Sequence, residues 1–401
     1  MDKENKQLNI GVVTATRAEY GLLHKLIRAI SQDEECQLYL YVTGTHLSHK
    51  YGYTIEEIKN DNFEIYEAID ILEENDDALS VAYSSANALK KFADSFSLFQ
   101  PDTLILLGDR YELLPIAQAA LFFRIPLVHI GGGEITEGAI DEMIRHAMTK
   151  LSYLHFPSCE QYRERIIQMG ESPDRVFNLG DTGVENVMSL PALSDEQILE
   201  KIDIDLAKPF WLVTFHPETV AGPELSLQAQ AELLTALEKL IDIGHQIVYT
   251  GVNADEGGLR LSEQLRKWAQ DKNAVRLYDS LGVLLYVNLL RRCEGVIGNS
   301  SSGIIEAPAV GVPTINIGDR QKGRMTAKSI ITIPAKAGVI YEAILKAQNP
   351  LWKAGWQEQQ SPFYKPNASN NIFLKIKEYL KNNNLSIEKS FYNFQNKLEK
   401  V

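Results

Sequence analysis

Short apolar runs recur along the chain at 8–13, 37–42, 103–107, 126–130 and 176–179, and again at 210–214, 246–249, 275–278, 295–297 and 313–317. Between them lie longer stretches whose apolar positions return every three or four residues: 20–30, 112–123 and 141–151 in the first series, then 225–243, 259–270 and 281–291 in the second. A short continuous apolar run is a buried strand, and the 3.6-residue period is an amphipathic helix. Their alternation predicts βαβ units and an α/β fold with parallel sheets. Two doubly wound halves fit best, with a seam near 183–205, where Pro191 and a series of acids suit a connection. Open sheets of this kind bind ligands beyond the carboxyl ends of their strands, so two such halves predict a site in a central cleft. The polar tail from 386 to 401 has no readable role.

Length agrees with this division, since 401 residues exceed one ordinary core and suit two. A formal net charge of −13 argues against nucleic acid or an acidic membrane face as the main partner. It leaves a nucleotide open, because a phosphate pocket needs only a few local donors. The three cysteines, Cys36, Cys159 and Cys293, are far apart and form no CxxC pair, so neither a metal site nor a disulfide framework is expected. No apolar stretch reaches the ~18 residues of a spanning helix. The polar start followed by a short apolar run reads as a lead into a strand, and a soluble, cytoplasmic protein is expected.

Candidate chemistry clusters where predicted strands end. The first strand runs into Thr14-Ala15-Thr16-Arg17-Ala18-Glu19-Tyr20-Gly21. Backbone N–H groups at the following helix start favour an anion, and Arg17 adds a fork suited to phosphate or carboxylate. A plain turn with Arg17 in a surface ion pair explains the same residues equally well. The glycine-rich dinucleotide loop is missing there, so NAD is disfavoured. Gly108-Asp109-Arg110 follows a second strand, where Asp109 is either a carboxylate at the cleft mouth or a helix cap. The strand ending in His129 leads to Gly131-Gly132-Gly133-Glu134, then to Asp141 and the helix with Arg145 and His146. Three glycines are costly in chain entropy, and close approach of backbone to a ligand is one reason to keep them.

In the second half, His216 stands before Pro217 and is therefore held extended, able to present its ring to a phosphate. Gly298-Asn299-Ser300-Ser301-Ser302-Gly303 offers hydroxyls and N–H groups at a helix start, with Glu306 about a turn further on. A serine cap would need one hydroxyl, whereas three stand here. Arg320, Lys322 and Arg324 then place three cations within five residues of an acidic chain, which suggests a local anion.

Seven blocks carry a resemblance over almost the whole chain: TATRAEY, LGDR, HIGGGE, DEMIRHAMTK, FHPE, GNSSSG and GVPTINIGDRQ. Together they resemble the hydrolysing UDP-N-acetylglucosamine 2-epimerases of sialic-acid biosynthesis. Non-hydrolysing relatives tend to have Thr-Arg-Pro-Glu where this chain has Arg17-Ala18-Glu19, and Gly-Asp-Thr where it has Gly108-Asp109-Arg110. Many relatives carry a glutamate at the position of Gly131. The resemblance implies a GT-B type fold of two Rossmann-like domains, 1–185 and 186–369. A C-terminal helix at about 370–385 (372–380 on the pattern) would pack back on the first domain. It also implies a homodimer or homotetramer and a UDP-sugar substrate, with no cofactor and no metal.

On this reading Asp109, Glu134 and Asp141 supply proton transfer at the sugar, and His216 acts in catalysis by stabilising the departing pyrophosphate. Arg17, Glu19, Arg110, Arg145, Ser300, Ser301, Glu306 and Arg320 bind the sugar nucleotide. The expected reaction releases UDP from UDP-N-acetylglucosamine, passes through 2-acetamidoglucal and gives N-acetylmannosamine. UDP-N,N'-diacetylbacillosamine is an alternative substrate. A GT-B glycosyltransferase and a non-catalytic nucleotide-sugar sensor are alternative functions.

Overall fold

The computed structural model describes residues 7–75, 77–136, 140–217, 223–251, 258–279, 281–357, 361–382 and 384–393. The chain divides into two compact units, Met1–Glu185 with Lys365–Val401, and Asn186–Tyr364. The first holds β1 (Leu8–Thr14), β2 (Cys36–Thr43), β3 (Ile65–Ile69), β4 (Thr103–Leu107), β5 (Leu127–Ile130) and β6 (Leu154–Phe156). They form one sheet in the order β3-β2-β1-β4-β5-β6. The second unit holds β7 (Phe210–Thr214), β8 (Gln246–Thr250), β9 (Val275–Tyr278), β10 (Gly295–Gly298), β11 (Thr314–Ile317) and β12 (Ile330–Ile333). Its order is β12-β11-β10-β7-β8-β9, and every pairing in both sheets is parallel. Each unit is thus doubly wound, and the strand order reverses between β1 and β4 in one and between β7 and β10 in the other.

Parallel sheets are covered on both faces, which is why β4 (TLILL) and β7 (FWLVT) are buried at every position. In the first unit, helix Arg17–Ser31 supplies Leu23, Ile27 and Ile30 to one face. Helix Ala368–Lys381 adds Ile372, Phe373, Ile376 and Leu380 to the same core. Its Lys377 also pairs with Asp33 and Glu35, both at 2.6 Å. Helices Ala78–Leu98 and Leu113–Phe122 cover the opposite face. Among the described residues no helix is long and apolar enough to cross a membrane.

Three strands escape the sequence pattern. β3 alternates partly buried and exposed residues, so it shows no continuous apolar run. β6 is only three residues long, and β12 is partly exposed throughout. The strand predicted at 176–179 does not form, because Val176 makes a single isolated bridge with His155. β6 takes the sheet edge next to β5.

Candidate functional site

The first unit concentrates its polar side chains where β1 and β4 end. Thr16 is the N-cap of helix Arg17–Ser31 and accepts from the Glu19 amide at 3.2 Å. Glu19 turns back, and its carboxylate accepts from the Ala15 amide at 2.8 Å. This reciprocal arrangement fixes the βα turn. Glu19 is only 6 % exposed, and burial pushes its carboxyl up to about 7, against the lowering effects of the Ala15 hydrogen bond and Arg110. Arg110 lies 4.0 Å from Glu19 and donates twice to the buried Glu112, at 3.2 and 2.7 Å. Glu19 and Arg110, both expected to bind substrate, lie beside each other, and Arg110 is also held by Glu112. Arg17 is exposed and pairs with Glu57 at 3.0 Å, the surface ion pair weighed above.

Arg145 organises the next cluster. It lies on helix Ile140–Leu151, is 3 % exposed, and donates to one oxygen of Asp109 through Nε at 2.8 Å and also through Nη2. Nη1 donates to the Glu134 carbonyl at 2.9 Å, and Nη2 to Thr136 Oγ1 at 3.0 Å. One guanidinium thus ties the residue after β4 to the loop after β5. Asp141 stands one turn before Arg145, in the first turn of that helix, where the helix dipole favours an anion. The structure brings together Asp109, the Glu134 backbone and Arg145, with Asp141 four positions before Arg145 on the same helix. Glu142, in the same first turn, carries no role in the sequence reading. Its carboxylate accepts from the Thr136 amide at 2.6 Å and lies 3.7 Å from His146 Nε2. The four-residue spacing of Glu142 and His146 was the available signal.

Two of the three glycines are required by packing within the protein. A Cβ on Gly133 would lie 2.5 Å from the Tyr162 carbonyl, and one on Gly132 would lie 3.0 Å from His129. Internal packing accounts for both. Gly131 has φ +83 with no atom nearer than 3.8 Å to such a Cβ. His129 is fully buried, which pushes its imidazole down to about 3, so it is neutral. Its Nε2 donates to the Gly108 carbonyl at 2.8 Å and pins the turn that presents Asp109.

In the second unit, Asn299 is the organiser. It is fully buried, accepts from the His216 amide at 2.7 Å and donates to the His216 carbonyl at 2.9 Å. Its own carbonyl accepts from Arg320 at 3.1 Å and from Gln321 at 2.8 Å. The sequence reading quoted Asn299 without assigning it a role. Gly298, with φ +139, lets β10 pass Thr214, whose carbonyl would lie 1.8 Å from a Cβ there. Ser300 caps helix Ser301–Ile305, Ser301 is partly exposed beside it, and the Ser302 hydroxyl donates to the Glu306 carboxylate. Hydroxyls, amides and the Arg320 cation thus converge where β7 and β10 end, an arrangement suited to phosphate oxygens. Glu218 and Thr219 lie outside the described residues. Among the described residues no group of three or more His, Cys, Asp or Glu side chains is placed to hold a metal ion.

The family model described as UDP-N-acetylglucosamine 2-epimerase matches residues 28–377. The polysialic acid biosynthesis protein P7 of Escherichia coli is 39 % identical over 380 residues, covering 95 % of this chain and 96 % of that protein. The GDP/UDP-N,N'-diacetylbacillosamine 2-epimerase (hydrolyzing) of Campylobacter jejuni is 41 % identical over 324 residues, covering 80 % of this chain and 83 % of its own. Among solved structures, UDP-GlcNAc 2-epimerase from Neisseria meningitidis bound to UDP-GlcNAc superposes with a TM-score of 0.73 at 17 % identity. It covers 92 % of this chain and 100 % of its own, a likeness of fold. With a matched region that spans both units and the groups at both strand-order reversals, the chain belongs to the UDP-N-acetylglucosamine 2-epimerase family.

Proposed function

We propose that the protein is a hydrolysing 2-epimerase that converts UDP-N-acetylglucosamine and water into UDP and N-acetylmannosamine. The observation that carries this reading is the buried Arg145 guanidinium, which holds Asp109 beside the Glu134 loop and the first turn with Asp141. A transferase or a sensor has no need of a carboxylate held by a buried guanidinium at this strand end. The hydrogen on C2 of the sugar is not adjacent to a carbonyl, so it becomes acidic only as the C1–O bond to UDP breaks. Preorganised donors stabilise the departing pyrophosphate, a role that His216, Ser300, Ser301 and Arg320 fit. Glu306 is suited to the ribose hydroxyls. A carboxylate takes the C2 proton, leaving 2-acetamidoglucal and UDP. A second carboxyl then returns a proton to the opposite face while water adds at C1. Asp109, Glu134 and Asp141 are the candidates, with Glu142 in reach of the same loop.

The 39 % identity to a polysialic acid biosynthesis protein supports N-acetylglucosamine as the sugar. The 41 % identity to a hydrolysing diacetylbacillosamine epimerase supports a second reading, in which UDP-N,N'-diacetylbacillosamine is the substrate. The open space at Gly131 is compatible with the bulkier sugar. Incubation with each sugar nucleotide in heavy water, without acceptor, tests both. Free 2-epimerised sugar with deuterium on C2 is expected from one of them. UDP-N-acetylmannosamine would indicate a non-hydrolysing enzyme, and absence of turnover with both would defeat the proposal.

A further inference from the structure

The family match ends at residue 377, yet residues 386–393 beyond it are built into the first unit. Gly170, with φ +93, leaves the space in which Phe391 sits, since a Cβ there would lie 2.3 Å from the ring. The Tyr392 amide donates to the Gly170 carbonyl at 2.8 Å, and Arg175 donates to the Ser390 carbonyl at 3.4 Å. These contacts deliver Lys389 to the end of helix Ile140–Leu151. Its ammonium donates to the Ser152 carbonyl at 2.6 Å and the Thr149 carbonyl at 3.5 Å. It also pairs with Glu171 at 2.8 Å.

Glu171 is fully buried and pairs in addition with Lys150, which lies on that helix, and with His155 on β6 at 3.4 Å. Burial alone would raise its carboxyl, but the bonds from His155, Lys150 and Lys389 hold it down to about 2. A helix leaves its last carbonyls without intrahelical donors, a need that a cation can meet favourably. Lys389 satisfies that need from a segment more than 200 positions away, on the helix whose earlier turns carry Asp141 and Arg145.

We propose that Lys389 is a positioning residue: by capping helix Ile140–Leu151 it holds Arg145, and through Arg145 the Asp109 carboxylate, in the arrangement the reaction uses. The proposal rests on the 2-epimerase reading for its catalytic consequence and on the geometry alone for its structural one. Lys389→Met in the full chain should lower kcat at least ~10-fold while KM and UDP affinity change less than ~2-fold. Lys389→Arg, which restores the cation, should recover kcat to within about 3-fold of the parent. Hydrogen exchange gives a readout independent of turnover. Amides of 140–151 should exchange at least ~10-fold faster in Lys389→Met, with those of Asn186–Tyr364 unchanged.

Parent-level kcat in Lys389→Met, or unaltered exchange in 140–151, would overturn the proposal. Loss of activity that Lys389→Arg does not recover would overturn it too. If Lys389→Met unfolds, Phe391→Ala, which loosens the segment and keeps the cation, should give the same ordering of effects, and parent behaviour there would count against the proposal. If the parent chain turns over neither sugar nucleotide, the functional reading fails by itself, and exchange still decides the capping claim.

Discussion

At the scale of single residues, the first unit contains two polar nodes. Arg145 donates directly to the Asp109 carboxylate at a partly buried position. Asp109→Asn preserves shape and removes the proton acceptor. Turnover should become undetectable while calorimetry still reports UDP binding, and turnover near the parent level would show that Asp109 transfers no proton. Glu19, in the other node, is a carboxyl raised to about 7 because burial outweighs its hydrogen bond and Arg110. Below the ordinary carboxylate range both folded and unfolded forms hold the proton, and no penalty arises. As pH rises from 4.5 towards 7 the unfolded chain ionises first, so stability falls across that window and levels off above it. The loss attributable to Glu19 is roughly 3 kcal/mol. Glu19→Gln keeps an acceptor for the Ala15 amide, so denaturant titrations should show a shallower pH dependence between 4.5 and 7 than the parent.

At the scale of elements, the polar groups of the candidate site are placed by how strands end. Gly298 closes β10 against Thr214 with no room for a side chain, and the next residue, Asn299, stitches β10 to β7 and to Arg320. Gly298→Ala would force the strands apart and should cost at least about 3 kcal/mol in urea unfolding, from combined overlap and φ strain. Gly131→Ala meets open space and suffers the φ penalty alone, about 1–2 kcal/mol. Equal losses in the two variants would refute this account of the β10 crossing. The same contrast divides the glycine run, since the sequence shows three glycines but not that Tyr162 and His129 occupy the space beside two of them.

At the scale of the whole molecule, the chain leaves its first unit at Glu185 and returns at Lys365, so that unit is completed last. Helix Ala368–Lys381 is its closing piece, with Ile376 fully buried in the first core. Ile376→Ala should cost about 2–5 kcal/mol. Hydrogen exchange should accelerate in the first unit and leave Asn186–Tyr364 at the parent rate. Uniform acceleration across both would mean that the two cores do not respond separately. The residue and element effects above follow the same division, since Asp109 and Glu19 belong to one core and Gly298 to the other.

The chain's own pattern determined the α/β class, two wound units and where most strands end, because burial on both faces writes continuous apolar runs that periodicity reads directly. The motif blocks determined the family for the same local reason: each is one strand end with its loop. What only the tertiary structure decided was partnership. That Arg145 serves Asp109, that Glu19 faces inward beside Arg110, that Asn299 organises His216 and Arg320, and that Lys389 reaches Thr149 all depend on contacts between distant residues. Edge strands β3 and β12 and the short β6 were hidden likewise, since a partly exposed or three-residue strand is defined by its neighbour and not by its own sequence.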